Sequence, residues 1–173
     1  ARRVRGDGTH VLSSRSNGGP YDPQRPSPKG TDMSETLPDE TLAAIYRNTS
    51  TIAVVGASTN PEKPAHGIPA YLQAQGFRVI PVNPTADEIF GEPTVRSLGD
   101  ISQPVDVVNV FRPSVETPDI AAQAAELGAS TLWLQLGIES EEAAAIAMEQ
   151  GLSVVMDTCM GATHQRLTKA GQL

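Results

Sequence analysis

The chain has little with which to staple, span or stack. It holds one cysteine in 173 residues, so no internal disulfide can form and a reducing cytoplasm is the expected setting. Aromatic residues make up only 4% of it. Its core must therefore come from Val, Ile, Leu and Ala, which favours parallel α/β layers over an aromatic-rich binding sheet. No apolar run approaches the ~20 residues of a membrane helix, and no secretory leader pattern is visible. Basic excess is missing too: the formal charge is −7, which argues against general nucleic-acid binding. A Ser–His–Asp order, metal spacings such as C-x-x-C or H-E-x-x-H, and a Walker loop are all absent. The expectation is binding without a catalytic constellation.

What is present divides into two regions. Residues 1–33 are rich in Gly, Pro, Ser and Arg and lack apolar periodicity. The first 32 carry a net charge of +3, leaving −10 on the remainder. Such a segment buries too little apolar surface to offset its ordering entropy, so disorder is expected. It reads as an extension upstream of Met33, with a basic arm for an acidic partner as the alternative. Residues 34–173 form the expected domain. Hydrophobic content of 39% over the chain is enough for a core.

Within that domain apolar runs alternate with helical patterns. Strands are predicted at Ile52–Val55, Val79–Val82, Val105–Phe111, Thr131–Leu136 and Leu152–Met156, with a weaker one near Thr94–Leu98. A short leading helix is expected around Leu42, Ile45 and Tyr46. Thr117-Pro118-Asp119 reads as a helix start, with Thr117 as the cap, proline at the first helical position and an acid in the first turn, and Gly128 as its stop. Ser140-Glu141-Glu142 and Gly151 bracket the next helix, and a last one is expected from about Cys159 to Lys169. This alternation predicts an α/β, Rossmann-like three-layer sandwich with a mostly parallel five- to six-stranded sheet.

Residues 51–84, TIAVVGASTNPEKPAHGIPAYLQAQGFRVIPVNP, are the most informative stretch. They form one strand–loop–helix–strand unit of the kind that binds nucleotides at strand C-terminal ends. A dinucleotide fingerprint needs Gly-x-Gly-x-x-Gly after the first strand. Only Gly56 fits, since Ser58 and Pro61 hold the other two glycine positions. Pro69 is tolerated only in a first helical turn, which predicts a helix start near His66–Ile68 and a loop of about ten residues. Such a loop can still offer a phosphate its N–H groups and a helix N-terminus. At the end of the second strand NAD enzymes place an acid for the ribose 2′-hydroxyl. This chain has Asn83-Pro84 there, which suits a phosphorylated ribose better than a bare diol.

Several ordered motifs then carry a resemblance. They are GAS-x-x-P at Gly56–Pro61, Lys63-Pro64, PVNP at Pro81–Pro84, VFRP at Val110–Pro113, WLQLG at Trp133–Gly137 and VVMDTC at Val154–Cys159. Over about residues 40–170 the chain resembles the small stand-alone CoA-binding proteins of the succinyl-CoA synthetase alpha-subunit type. The resemblance implies a Rossmann-like domain that takes coenzyme A, or an acyl-CoA, at the strand C-termini. It implies Gly56, Ala57 and Ser58 by the diphosphate, with Lys63 and Pro64 on the same loop. Asn83 and Pro84 border the adenosine. Phe111 and Arg112, then Gln135 and Gly137, lie at later strand ends, and Cys159 follows the last strand. The family often has a basic residue between the acid and the cysteine; here Thr158 stands between Asp157 and Cys159. The alpha subunit keeps its catalytic histidine in a further domain, outside the matched stretch.

Read on their own chemistry, these residues leave alternatives. Arg112 can fork onto a phosphate or pair with Glu116. Asn83 can meet a ligand or cap a turn before Pro84. Lys63 is a phosphate cation or an ordinary exposed lysine. Cys159, near a helix N-terminus, is a thiol poised by the pantetheine end or a small residue closing a strand–helix corner. His66 frames the helix start or polarises a phosphate; His164 has no evident acidic partner, and His10 lies in the tail. The expected function is a non-catalytic, cytoplasmic CoA carrier, sensor or regulator. Its rivals are an NAD(P)-binding oxidoreductase fragment and a subunit that completes an acyl-CoA ligase with a partner chain. The reading leaves room for a protein partner or a homo-oligomer.

Overall fold

The computed structural model describes residues 37–173. The expected extension, residues 1–33, and His10 lie outside the described residues. Twelve regular elements follow in chain order: α1 (Asp39–Arg47), β1 (Thr51–Val55), α2 (Pro64–Ala74), β2 (Arg78–Val82), β3 (Glu88–Ile89), β4 (Glu92–Pro93), β5 (Val107–Val110), α3 (Thr117–Glu126), β6 (Thr131–Leu134), α4 (Glu141–Glu149), β7 (Ser153–Val155) and α5 (Met160–Lys169). Five of the strands form one parallel sheet in the order β2-β1-β5-β6-β7. The predicted α/β class and parallel sheet are therefore present.

Alternation along the strands divides the core in two. Ile52, Val54, Val107 and Trp133 face one side, where they pack with Leu42, Leu72, Met160 and Leu167 from α1, α2 and α5. Ala53, Val108, Val110, Leu132 and Leu134 face the other, against Ile120, Ala121, Ala143 and Ala147 from α3 and α4. Helices on both faces explain why the strands read as unbroken apolar runs. Alanines on α3 and α4 let those helices lie close to the sheet. On the opposite face Gly161 does the same for α5: a Cβ there would come within 3.3 Å of Ile68 on α2.

Three expectations change. The weak strand near Thr94–Leu98 shrinks to a single parallel bridge, Val82 to Val95. Ser97 ends it because its side chain and that of Asp100 form a capping box around the 3₁₀ turn Leu98–Asp100. Thr117 is not a cap; it is the first residue of α3, preceded by a 3₁₀ turn at Ser114–Glu116, and its hydroxyl donates to the Ser114 carbonyl. The third concerns α2, which starts at Pro64 rather than near His66, so the preceding loop is shorter than expected. Pro69 thus sits inside the helix, where its missing N–H leaves the Ala65 carbonyl unpaired. The N–H of Ser58 supplies the lost bond at 3.1 Å. The hairpin β3–β4 was not foreseen; its turn places both Phe90 and Gly91 at positive φ.

Behind the sheet, His164 on α5 is buried among Tyr46, Tyr71 and Phe77, and its Nδ1 lies 2.9 Å from the Tyr71 hydroxyl. Burial pushes its pKa below the ordinary imidazole value. A depressed base binds fewer protons folded than unfolded, so stability is full above the unfolded pKa and falls as pH drops through the window beneath it. Denaturant unfolding should therefore show lower stability at pH 5.5 than at pH 7.5. His164→Gln should flatten that slope; an unchanged slope would assign it to the carboxylates instead. Among the described residues no helix is long and apolar enough to cross a membrane.

Candidate functional site

The chain runs from β1 to β2 on one side, then crosses to β5 on the other side of β1. Open parallel sheets leave a crevice at such a reversal, beyond the strand C-termini. A cavity of about 640 Å³ opens there, a size ordinary for small-ligand sites. Residues following β1, β2 and β5 line it, together with part of α3 and the segment after the Val95 bridge.

Of the residues singled out in the sequence, Gly56, Ala57, Ser58, Lys63, Asn83, Pro84, Phe111 and Arg112 all line this cavity. Gly56 is held at φ +84°, and a Cβ on it would lie 2.8 Å from Arg112 Cδ and 3.1 Å from the Phe111 carbonyl oxygen. The loop after β1 therefore lies directly against the end of β5, and only glycine fits the contact.

Ser58 ties the loop down. Besides the N–H bond to Ala65, its carbonyl accepts the Nδ1–H of His66 at 2.7 Å, and its hydroxyl oxygen accepts the Asn60 N–H at 3.1 Å. Since Nδ1 carries the proton, the Nε2 of a neutral His66 is an acceptor. Asn83 fastens the same loop from the other side. Its amide donates to the Ala57 carbonyl at 2.9 Å, while its Oδ1 accepts the N–H groups of Thr85 and Ala86 and the Thr85 hydroxyl. The turn-capping alternative for Asn83 is thus present in the structure.

Arg112 forms a two-point pair with Glu116, Nε to Oε2 at 2.8 Å and Nη2 to Oε1 at 2.7 Å. This pair raises the arginine pKa and holds the glutamate carboxyl below its usual range, mainly through the hydrogen bonds. Both side chains are nearly half exposed, and exposed pairs of this kind add little stability. Lys63 caps α2 with its backbone in extended conformation, and among the described residues it forms no ion pair. Arg96, also on the cavity, was missed by the sequence reading. Its only signal was a basic residue directly after the weak strand's Val95. The lining thus includes the cations Lys63, Arg96 and Arg112 and a single acid, Glu116. That is a cationic crevice in a protein of net charge −7.

Four singled-out residues do not line the cavity. Pro64 is the first residue of α2. Gln135 is buried, donating to Asn109 Oδ1 at 2.7 Å and accepting the Met160 N–H at 3.3 Å, so it joins mid-sheet to the start of α5. Gly137, at φ +80°, donates its N–H to Asp157 Oδ1 at 2.6 Å. Cys159 caps α5, its sulfur accepting the Ala162 N–H at 3.4 Å, and is half-buried. Gln135, Gly137 and Cys159 belong to the β6–β7 end of the same sheet edge.

A reversal crevice lined by cations defines the class: a Rossmann-like α/β domain with an anion-receptive cavity at its sheet edge. The chain belongs to the CoA binding domain family, whose model matches residues 50–165. It is 41% identical to the protein YneT of Bacillus subtilis (strain 168) over 123 residues, 71% of this chain and 91% of that one. Its fold matches the structure of the Thermus thermophilus protein cell-free ID.343 with a TM-score of 0.72 and 42% identity, covering 76% of this chain and 99% of the other. It is also 35% identical to the ADP-forming acetate–CoA ligase II of Archaeoglobus fulgidus over 95 residues. That match takes in 54% of this chain but only 14% of the ligase.

Proposed function

We propose that the crevice binds coenzyme A or an acyl-CoA and that the chain acts as a non-catalytic carrier, sensor or regulator in the cytoplasm. The observation that carries this reading is the grouping of Lys63, Arg96 and Arg112 around one cavity at the sheet reversal. Phosphates are recognised by such convergent donors, with guanidinium forks giving direction as well as charge. Family membership supports the same ligand. The missing second and third glycines and Asn83 in place of an acid at the end of β2 count against NAD. Thermal-shift measurements with CoA, dephospho-CoA, NAD and ATP should show a clear preference for CoA. Equal stabilisation by NAD would favour the oxidoreductase reading instead.

Glu116 occupies Arg112 with the geometry a phosphate would use, so ligand binding exchanges one anion for another. Arg112→Ala should weaken CoA binding by roughly 1–3 kcal/mol, and Glu116→Gln should tighten it several-fold by removing the competitor. Calorimetry showing both variants unchanged would take Arg112 out of the site.

A second reading, a subunit of an acyl-CoA ligase, is favoured by one observation. Val115 and Leu136 are 85% and 70% exposed. Their loops are joined by the Glu139 N–H to Ser114 Oγ bond of 3.3 Å. Exposed apolar side chains on adjoining loops fit a protein contact better than solvent. Formation of ATP from acetyl-CoA, ADP and phosphate when the ligase parts that carry the catalytic histidine and grasp the nucleotide are added would support this reading. Silence with the chain both alone and mixed would leave the carrier.

A further inference from the structure

The end of β2 is where Rossmann-type domains discriminate between ribose forms. A bare diol is met there by an acid, and a phosphorylated ribose by an arginine. In this chain the acid is absent, and Asn83 spends its side-chain oxygen on the turn at Thr85 and Ala86. The residue that brings charge to this corner comes from elsewhere in the sequence. Val95 pairs with β2: its N–H donates to the Pro81 carbonyl at 3.0 Å and its carbonyl accepts the Asn83 N–H at 2.9 Å. Arg96, the next residue, is thereby fixed beside the end of β2 and lines the cavity with Thr85 and Ser97.

The guanidinium of Arg96 is held ready rather than consumed. Nη1 donates to the Ala86 carbonyl at 2.5 Å and Nη2 to Asp87 Oδ1 at 2.6 Å. These two bonds set its plane against the loop after Asn83, and the remaining N–H groups are uncommitted among the described residues. The Asp87 side chain is 93% exposed, so its pairing with Arg96 is readily exchanged. Arg112 and Lys63 stand on the other two loops of the cavity, one after β5 and the other before α2. The three cations thus reach one cavity from three different segments, which suits a ligand carrying more than one phosphate.

We infer that Arg96 is the specificity-determining residue for the monoester phosphate on the ligand's ribose, selecting a 3′-phosphorylated ADP moiety over its dephosphorylated form. This rests on the coenzyme A reading above and adds to it the residue that makes the choice. A 2′-phosphate, as in NADP, offers the same dianion on the neighbouring carbon, so the two sources need separate arms.

Isothermal titration of the chain with CoA, dephospho-CoA, NADP and NAD tests this, in the wild type and in Arg96→Ala and Arg96→Lys. The wild type should prefer CoA to dephospho-CoA, and Arg96→Ala should weaken CoA about 10- to 100-fold while leaving dephospho-CoA unchanged. Retained dephospho-CoA affinity also shows that the variant is folded. Arg96→Lys should fall between, keeping charge but losing the fork. A wild type that binds CoA and dephospho-CoA equally, or an Arg96→Ala variant that loses both alike or neither, overturns the assignment and leaves the coenzyme A reading standing. Selection of NADP over NAD with no response to CoA overturns both. So does a wild type that binds none of the four.

Discussion

Gly56→Ala is expected to lower stability by roughly 2–4 kcal/mol, the sum of a left-handed backbone penalty and steric overlap. The backbone at this position has φ +84°, and the added carbon would stand 3.1 Å from the carbonyl oxygen of Phe111, just past β5. The nearer neighbour, Arg112 Cδ, can swing away, but the Phe111 carbonyl cannot move without straining the Phe111 N–H to Val55 carbonyl bond of 2.9 Å. Because Gly56 and Arg112 both line the cavity, the same change should reduce CoA affinity. Gly67→Ala is the matched control. Gly67 lies on α2, and a Cβ added there would meet nothing within 4 Å, so alanine should stabilise by about 0.5–1 kcal/mol. Denaturant midpoints for the two variants should move in opposite directions. A Gly56→Ala midpoint equal to wild type would show that the loop after β1 is free to shift, and the tight contact with β5 would then have no energetic weight.

Trp133→Ala is expected to cost about 3–5 kcal/mol, the range for emptying a large aromatic site. Trp133 is fully buried in the face of the sheet that carries α1 and α5, and it packs against Tyr46 with ring centroids 5.5 Å apart. Its Nε1–H also donates to the Thr158 carbonyl at 2.8 Å. That carbonyl belongs to the corner leading into α5, so the indole joins core packing to the placement of the last helix. In a domain whose total stability is of order 5–15 kcal/mol, such a loss leaves a marginal fold. Trp133→Phe separates the two contributions: it keeps most of the packing and removes the donor, so it should cost less, about 1–3 kcal/mol. Equal losses in urea melts would mean that the hydrogen bond, not the volume, dominates.

Much of the fold was legible along the chain, for local reasons. Apolar runs bounded by glycine or Asn-Pro mark strands because a doubly covered parallel strand has no polar face. The Ser140 start and the Gly151 stop also held: the Ser140 hydroxyl accepts the Ala143 N–H at 3.1 Å, and Gly151 takes φ +83°. The error at α2 is instructive. Pro69 is a sound reason to start a helix late when only neighbouring residues are considered. The helix starts earlier because Ser58, eleven positions before the proline, satisfies the carbonyl that the proline leaves bare. That exchange crosses from the loop into the helix, beyond the single turn that helix-start rules consider. The hairpin at Phe90-Gly91 was missed because a two-residue strand has no period to read.

The candidate site was legible in part. The loops after β1, β2 and β5 could be named, since strand ends are readable. Arg96 could not be, because its place depends on the pairing of Val95 with β2. Gln135 and Cys159 also follow strands, yet the order β2-β1-β5-β6-β7 puts β6 and β7 on the far side of β5 from the reversal.

Periodicity and turn chemistry alone thus decided the alternating layers, the atypical glycine pattern and the presence of Asn83 rather than an acid at the end of the second strand, since each depends on residues within a few positions of one another. Which cations share one crevice was decided only when the strands chose their neighbours. Burial of both sheet faces sets that choice between segments tens of residues apart, and it brings Lys63, Arg96 and Arg112 to a single opening while leaving Cys159 outside it.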